Sequence, residues 1–153
     1  MEEVVVTGMG CVSALGNTPE ILWENLLAGK SGVTTITHFD TSAYEVHFAA
    51  EVKEFDASPY FNDRDQKRYS RNIQYAVSAA SDAVKNSGLN VDSLDKSRAG
   101  VILASGMGGM DVYYDTSATL SNKGPRRVSP FFIPMAITNM AAGILPVKLN
   151  HQE

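Results

Sequence analysis

Two apolar runs that each end in a glycine turn constrain the fold of this chain most strongly. Residues 4–6 are three consecutive valines followed by Thr7 and Gly8, and residues 99–104 read AGVILA before the glycine-rich turn at residues 105–109. A short continuous apolar run that stops at glycines is typical of a parallel strand covered on both faces. The sequence therefore predicts two buried parallel strands, each leading into a tight loop.

Helix signals alternate with these runs. Thr18 and Pro19 supply a capping residue and a proline in the first turn, which predicts a helix that ends at Gly29. Apolar residues recur every three or four positions over residues 65–86, which predicts one long amphipathic helix that stops at Gly88. The remaining predicted elements are helices over residues 111–120 and 134–145 and a short strand over residues 46–52. Alternating strands and helices are typical of an α/β fold with a parallel sheet.

Length and composition indicate one soluble globular unit. The chain has 153 residues, of which 44% are hydrophobic and 20% are charged. Its apolar runs are far shorter than the roughly 18 residues that a membrane-spanning helix needs, and the sequence shows no targeting leader. We therefore expect no membrane partner and a cytoplasmic location, with an organelle as the alternative.

Charge is distributed unevenly along the chain. The net charge of -4 argues against a nucleic-acid partner. Residues 1–115 contain 16 acids and 9 bases, whereas residues 116–152 contain four bases and no acid. Two groups of bases stand out: Lys67, Arg68 and Arg71, and Lys123, Arg126 and Arg127. Asp63 and Asp65 dilute the first group, so the second is the better candidate for docking an acidic or phosphorylated partner.

Motifs for cofactors and metals do not match. Gly8 and Gly10 follow an apolar run as in a dinucleotide-binding turn, but Ser13 stands at the third glycine position and the helix begins only near Thr18. The three histidines, His38, His47 and His151, lie far apart in the sequence and lack cysteine partners. We expect neither a cofactor nor a metal.

Cys11, the one cysteine, offers no sign of an activated nucleophile. A single cysteine cannot form an internal disulfide or a CxxC site, which fits a reducing compartment. Nothing in the local sequence around Cys11 lowers the pKa of its thiol. A small buried filler of a glycine-rich turn is the better interpretation of this residue.

Five sequence blocks follow one another along nearly the whole chain. They read VVVTGMGxVSxLGN at 4–17, LLAGKSG at 26–32, FD at 39–40, SGMGG at 105–109 and SPFFIPxAITNM at 129–140. In order and spacing, these blocks closely resemble the N-terminal part of β-ketoacyl-acyl-carrier-protein synthases of the elongating type. The resemblance implies a thiolase-like α/β fold of αβαβα layers, of which residues 1–153 would be part of the N-terminal half, and a homodimer.

The resemblance also implies a reaction. Such a synthase performs a decarboxylative Claisen condensation between an acyl thioester and malonyl-acyl-carrier protein, in fatty-acid or polyketide elongation. Its partner is an acyl-carrier protein bearing phosphopantetheine, and it needs no cofactor. The family's catalytic cysteine and two histidines fall after Glu153, so we assign no catalytic residue here and expect the chain alone to be inactive. A proline at Pro146 departs from the family pattern.

Two sets of residues are implied to serve this reaction. Met107, Phe131 and Phe132 match positions along the family's acyl tunnel, with plain core packing as the alternative. Lys123, Arg126 and Arg127 are the first choice for carrier docking, and Lys67, Arg68 and Arg71 are the second. A non-catalytic ketosynthase-like protein, such as a chain-length-determining partner or a truncated product, is the alternative function.

Overall fold

The computed structural model describes residues 3–149, so His151 lies outside the described residues. Its elements, in chain order, are α1 (Pro19–Leu27), β1 (Thr34–Thr35), β2 (Phe48–Ala49), α2 (Asp63–Arg68), α3 (Arg71–Ser87), α4 (Met110–Lys123), α5 (Phe132–Ala136) and α6 (Met140–Leu149). Short 3-10 helices lie at Val91–Ser93, Lys96–Arg98 and Pro125–Arg127. Among residues 3–149, no helix combines the length and the apolar character needed to cross a membrane.

Helix α1 confirms its predicted start and stop. The Thr18 side chain accepts a hydrogen bond of 3.3 Å from the backbone N–H of Ile21, which satisfies one of the free donors of the first turn. At the other end, Gly29 adopts a left-handed conformation with φ of 65°. The N–H of Lys30 then donates to the carbonyl of Asn25 at 3.0 Å, which closes the helix with a Schellman motif.

The prediction of one continuous helix over residues 65–86 is wrong, because this region is divided into α2 and α3. Tyr69 is extended, and Ser70 begins a new helix, α3, at its N-cap position. Ser70 is buried, and its hydroxyl lies 2.7 Å from the carbonyl oxygen of Met135. This tertiary contact accompanies the break that the helical periodicity did not reveal. Gly88, with φ of 68°, ends α3 as predicted.

The C-terminal helices also differ from the prediction in their bounds. The helix predicted over residues 111–120 is confirmed within α4, whereas the one predicted over 134–145 is divided into α5 and α6 by an extended Ile137. Helix α6 continues through Pro146 to Leu149. A proline inside a helix removes one backbone hydrogen bond, so this helix is held by its buried apolar side chains rather than by a complete backbone ladder.

Neither predicted parallel strand forms a ladder. Residues 4–6 and 99–104 are not paired, and the sheet among residues 3–149 is the antiparallel pair β1–β2, with Thr34 opposite Ala49 and Thr35 opposite Phe48. A strand needs a hydrogen-bonding neighbour, which an apolar pattern cannot specify. Strand β2 lies inside the predicted segment 46–52 but is only two residues long.

The AGVILA segment is covered on one face instead of two. Val101 and Leu103 pack against the apolar core, whereas the side chain of Ile102 between them is 97% exposed. Val4 is exposed to 95% in the first predicted strand. The sequence therefore predicted apolar surface correctly, but the described residues do not cover all of it.

The core lies between α3 and α6. Ile73 and Val77 of α3 are fully buried in one apolar cluster with Ile144 and Leu145 of α6 and with Phe61. Each such side chain contributes about 1.5–3 kcal/mol when it leaves water completely. The residues just before α2 are attached to the same helix through Tyr60, whose hydroxyl donates to the Asp82 carboxylate at 2.7 Å. Burial and this hydrogen bond raise the pKa of Tyr60 to about 12.

Gly8 and Gly10 serve close packing on α3. A side chain on Gly8 would collide with the carbonyl oxygen of Ala83, and one on Gly10 would collide with that of Ala79. The glycine pair that resembled part of a dinucleotide-binding turn therefore lets the chain lie directly on the small residues of a helix.

The half-covered AGVILA segment yields a first prediction. We expect the 153-residue chain to self-associate through this apolar edge, because unpaired backbone and exposed apolar side chains promote edge-to-edge association. Ile102→Lys should raise the monomer fraction measured by size-exclusion chromatography with light scattering, since its side chain points into solvent. Val77→Lys, at a fully buried position, should instead unfold the chain. A wild-type chain that is already monomeric would contradict this expectation.

The glycine contacts yield a second prediction, tested in the Ile102→Lys background. Gly10→Ala should lower the free energy of unfolding by about 1–3 kcal/mol, the usual cost of overpacking. Gly100→Ala is the matched control, because a methyl group there meets no atom within 4 Å. Urea unfolding measures both variants. Equal midpoints for the two would show that the chain around Gly10 can move away from α3 at little cost.

Candidate functional site

Bases from the two predicted groups line one groove. Lys67 on α2 and Arg127 on the 3-10 helix Pro125–Arg127 both border a shallow pocket of about 280 Å³. Its other polar lining residues are Asp115, Thr116, Thr119 and Ser129. From the sequence, the two groups of bases were separate candidates for a docking site. The tertiary fold brings one member of each group to the same surface. We call this pocket the basic groove.

A second pocket continues the basic groove toward α3. It has a volume of about 480 Å³ and shares Lys67, Val112, Asp115 and Met135 with the first pocket. Arg71 and Asp111 line this second pocket but not the basic groove. Asp56 lines this pocket as well. The surface therefore mixes bases with acids and is not a purely positive patch.

The view that the second basic group has no neighbouring acid is wrong in three dimensions. Residues 116–152 contain no acid, but Asp115 immediately precedes this range and borders the basic groove together with Arg127. One turn earlier, Asp111 faces the pocket that Arg71 lines. Residues three and four apart lie on the same face of a helix, so α4 presents both acids to the bases.

The expectation that Asp65 offsets the positive charge of Lys67, Arg68 and Arg71 is wrong. The Asp65 carboxylate accepts a hydrogen bond of 2.5 Å from the ammonium group of Lys148, and both side chains are largely buried. Lys148 therefore neutralises Asp65, and the acid no longer offsets Lys67, Arg68 and Arg71. The same pair joins α6 to α2 and positions the latter helix.

Arg68 differs from its neighbours in its contacts. Its guanidinium carbon lies 4.2 Å from the centre of the Phe131 ring, a cation–π geometry. Arg71 is exposed and donates a 3.4 Å hydrogen bond to the Tyr75 hydroxyl. Lys123 and Arg126 are exposed as well.

The predicted tunnel residues lie on segments in contact with one another, although their side chains point to different neighbours. The backbone N–H of Gly109 donates to the carbonyl of Ala136 at 3.0 Å, which joins the turn containing Met107 to α5. Phe132 makes an edge contact with Tyr113 of α4 at 5.3 Å between ring centres, whereas Phe131 meets Arg68. Neither phenylalanine nor Met107 lines the two pockets above, and their role in a tunnel stays a prediction.

Cys11 is placed where its thiol is less acidic than usual. Partial burial raises its pKa, and the charges of Glu20 and Asp82 act in the same direction. The Nδ1 atom of His47 lies 3.1 Å from the Thr41 hydroxyl oxygen, and the Nε2 atom of His38 lies 3.9 Å from a carboxylate oxygen of Glu51. Within residues 3–149, the histidines, cysteine and acids form no group that could hold a metal ion.

Some residues that shape this site were missed by sequence reasoning. Ser70 holds the α2–α3 junction to α5, Tyr113 supports Phe132, and Asp115 enters the basic groove. A serine at position 70 followed by a helical pattern is a capping signal that could have revealed the break. The positions of Tyr113 and Asp115 depend on the packing of α4 and left no signal in the sequence.

Comparison with known proteins agrees with the blocks that the sequence shows. The family described as the beta-ketoacyl synthase N-terminal domain matches residues 1–152. The chain is 45% identical to a 3-oxoacyl-[acyl-carrier-protein] synthase 2 of Vibrio cholerae, over 94% of this chain and 35% of the relative. It therefore spans about a third of the length of this curated relative.

Solved structures show the same fold. The ishigamide ketosynthase/chain length factor superposes with a TM-score of 0.79 at 28% identity, over 97% of this chain and 37% of that one. A type II polyketide ketosynthase, solved with its acyl-carrier protein, superposes with a TM-score of 0.76 at 22% identity, over 98% of this chain and 39% of that one. The predicted thiolase-like α/β fold is confirmed, with part of its N-terminal portion present. The chain belongs to the β-ketoacyl synthase family and corresponds to its N-terminal domain.

Proposed function

We propose that residues 1–153 are the N-terminal portion of a β-ketoacyl-acyl-carrier-protein synthase. The complete protein would condense an acyl thioester with malonyl-acyl-carrier protein, with loss of carbon dioxide, in fatty-acid or polyketide chain elongation. The observation that carries the proposal is the 45% identity to a 3-oxoacyl-[acyl-carrier-protein] synthase over 94% of this chain. This segment contributes the fold, a docking surface and part of an acyl tunnel.

The chemical step itself is proposed to use residues outside this segment. Condensation needs a nucleophilic thiolate, imidazoles near the malonyl group and donors for the developing oxyanion. Cys11 does not suit the first role, because burial and two nearby carboxylates raise the pKa of its thiol. We therefore expect the isolated chain to be inactive.

Carrier-protein docking is proposed for the basic groove and its surroundings. Acidic carrier surfaces are attracted to exposed bases, and such rim charges act mainly on the rate of association. Lys67 and Arg127 border the basic groove itself, and Arg71 lines the pocket that continues it. The other bases lie on adjoining elements: Arg68 on α2, Lys123 at the end of α4 and Arg126 on the 3-10 helix Pro125–Arg127. Asp111 and Asp115 would repel carboxylates placed between the bases, so they would fix where the partner's acids can lie.

Acyl binding is proposed for the segments around α5. Met107 and Phe131 are 61% and 37% exposed in this structure, so both present apolar surface that an alkyl chain could cover. Phe132 is half-buried against Tyr113 and would form the rigid wall beside them.

A non-catalytic partner is the second candidate function. It is favoured by the structural likeness to a protein described as a ketosynthase/chain length factor, at 28% identity. Turnover by the purified complete protein without any second ketosynthase would decide for the enzyme. The homodimer implied by the family and the cytoplasmic location expected from the sequence stay predictions.

A third prediction tests the basic groove in the complete synthase. Lys67→Glu and Arg127→Glu should each raise the KM for carrier-bound substrates about tenfold at low salt, because charge reversal slows association. The effect should weaken as salt screens the charges. The pair Arg126→Glu and Arg127→Glu should act in the same way, and Lys85→Glu, at an exposed base outside both pockets, should not.

A small pantetheine thioester is the control substrate for these variants. Its turnover should stay within about twofold of wild type, since it presents no acidic protein surface to the groove. Equal losses with both substrates would assign the bases a structural role. Unchanged kinetics with both would show that the groove is ordinary solvated surface.

A fourth prediction concerns Cys11. In the complete synthase, Cys11→Ser should leave turnover within severalfold of wild type and should not abolish covalent acyl labelling, because burial and the charges of Glu20 and Asp82 raise the pKa of this thiol. Mass spectrometry of the acylated protein checks the labelled position. An acyl group found on Cys11, or lost in the variant, would overturn this assignment.

A further inference from the structure

Arg68 occupies a position that a purely electrostatic docking residue would not need. Its guanidinium lies over the Phe131 ring at 4.2 Å, and the side chain is half-buried, whereas Lys67 beside it is exposed. A guanidinium stacks on a ring through its planar face. The guanidinium of Arg68 therefore already contacts Phe131 in the absence of a partner protein.

Phe131, whose ring Arg68 covers, is the N-cap residue of helix α5. Contacts with several other elements hold this helix in place. The Ser70 hydroxyl lies 2.7 Å from the carbonyl oxygen of Met135. Phe132 contacts Tyr113 of α4 edge to face. These contacts position the body of α5, and Arg68 is the residue whose cation covers the Phe131 ring at its start.

Helix α5 is in direct contact with the glycine turn at residues 105–109. Gly108 has φ of 65°, and a side chain there would collide with the carbonyl oxygen of Ala136. Gly109 donates to that same carbonyl at 3.0 Å. The turn that carries Met107 therefore has no room to move toward α5, and a displacement at the start of α5 would be felt at Met107.

We infer that Arg68 is a positioning residue that fixes the Phe131 ring, so that acyl-chain-length preference depends on Arg68 even when no carrier protein is present. The inference rests on the proposed function, in which Phe131 bounds the acyl chain. Arg68 can keep this role during docking. The N–H groups of a guanidinium lie in its plane, so a contact with a ring does not use them and they can donate to a carrier carboxylate.

The test compares acyl-pantetheine thioesters of a short and a long chain in the complete synthase, and measures the ratio of their kcat/KM values. Arg68→Gln should change this ratio about fivefold, the size expected when one cation–π contact is lost. Arg68→Lys keeps the charge but not the planar face. It should leave the KM for carrier-bound substrates within about twofold while still shifting the chain-length ratio.

Two further variants separate positioning from docking. Lys67→Gln, at the adjacent exposed base, should raise the KM for carrier-bound substrates and leave the chain-length ratio unchanged. Phe131→Leu keeps an apolar side chain and removes the ring. If Arg68 acts through Phe131, adding Arg68→Gln to Phe131→Leu should produce no further change in the ratio, a clear departure from additivity.

The outcomes are distinguishable. An unchanged ratio in both Arg68 variants, with a raised KM for carrier-bound substrates in Arg68→Gln, would make Arg68 a docking residue only and overturn the inference. Additive effects of Arg68→Gln and Phe131→Leu would overturn it as well. No condensation by the wild-type synthase would reject the proposed function and this inference with it, whereas condensation with an unchanged ratio rejects the inference alone.

Discussion

Ile73 and Val77 of α3 are fully buried in one apolar cluster with Ile144 and Leu145 of α6, and segments from other parts of the chain are attached to α3. Gly8 and Gly10 lie on the carbonyl oxygens of the same helix, and Ser70 at its start is hydrogen-bonded to α5. Because α3 is contacted on several sides, it fixes the mutual placement of segments that are far apart in the sequence. The candidate site is built from those segments.

The charge pattern of the candidate site depends on which acids find partners. Lys148 neutralises Asp65, which leaves Lys67 and the bases near it without that compensation. Asp115 enters the basic groove beside Arg127, where no acid was expected. Linear charge counts located the bases correctly, but a charge acts on its spatial neighbours. In a surface groove, such interactions decay within about 10 Å at moderate salt.

Sequence reasoning succeeded where the signal is local. The cap at Thr18, the stops at Gly29 and Gly88 and the helical region of α4 depend on residues within one or two turns, and the structure confirms them. The family was identified from five ordered blocks, and the comparison over residues 1–152 confirms it. The predictions were wrong where the local structure depends on a segment that is distant in the sequence. The run at 99–104 forms no ladder with any segment among residues 3–149, and the helix over 65–86 breaks at Ser70, which contacts Met135.

The sequence by itself determined the family, the helix ends and the identity of the bases and apolar residues available for a site, because these depend on composition and on short-range order. Only the tertiary structure decided that Lys67 and Arg127 share a groove, that Asp65 is neutralised, and that Arg68 lies over Phe131. Each of these contacts joins residues about 60 or more positions apart. Their proximity results from the packing of α3 with α6 and of α4 with α5 and with the 3-10 helix Pro125–Arg127. A pattern that repeats every few residues carries no information about that packing.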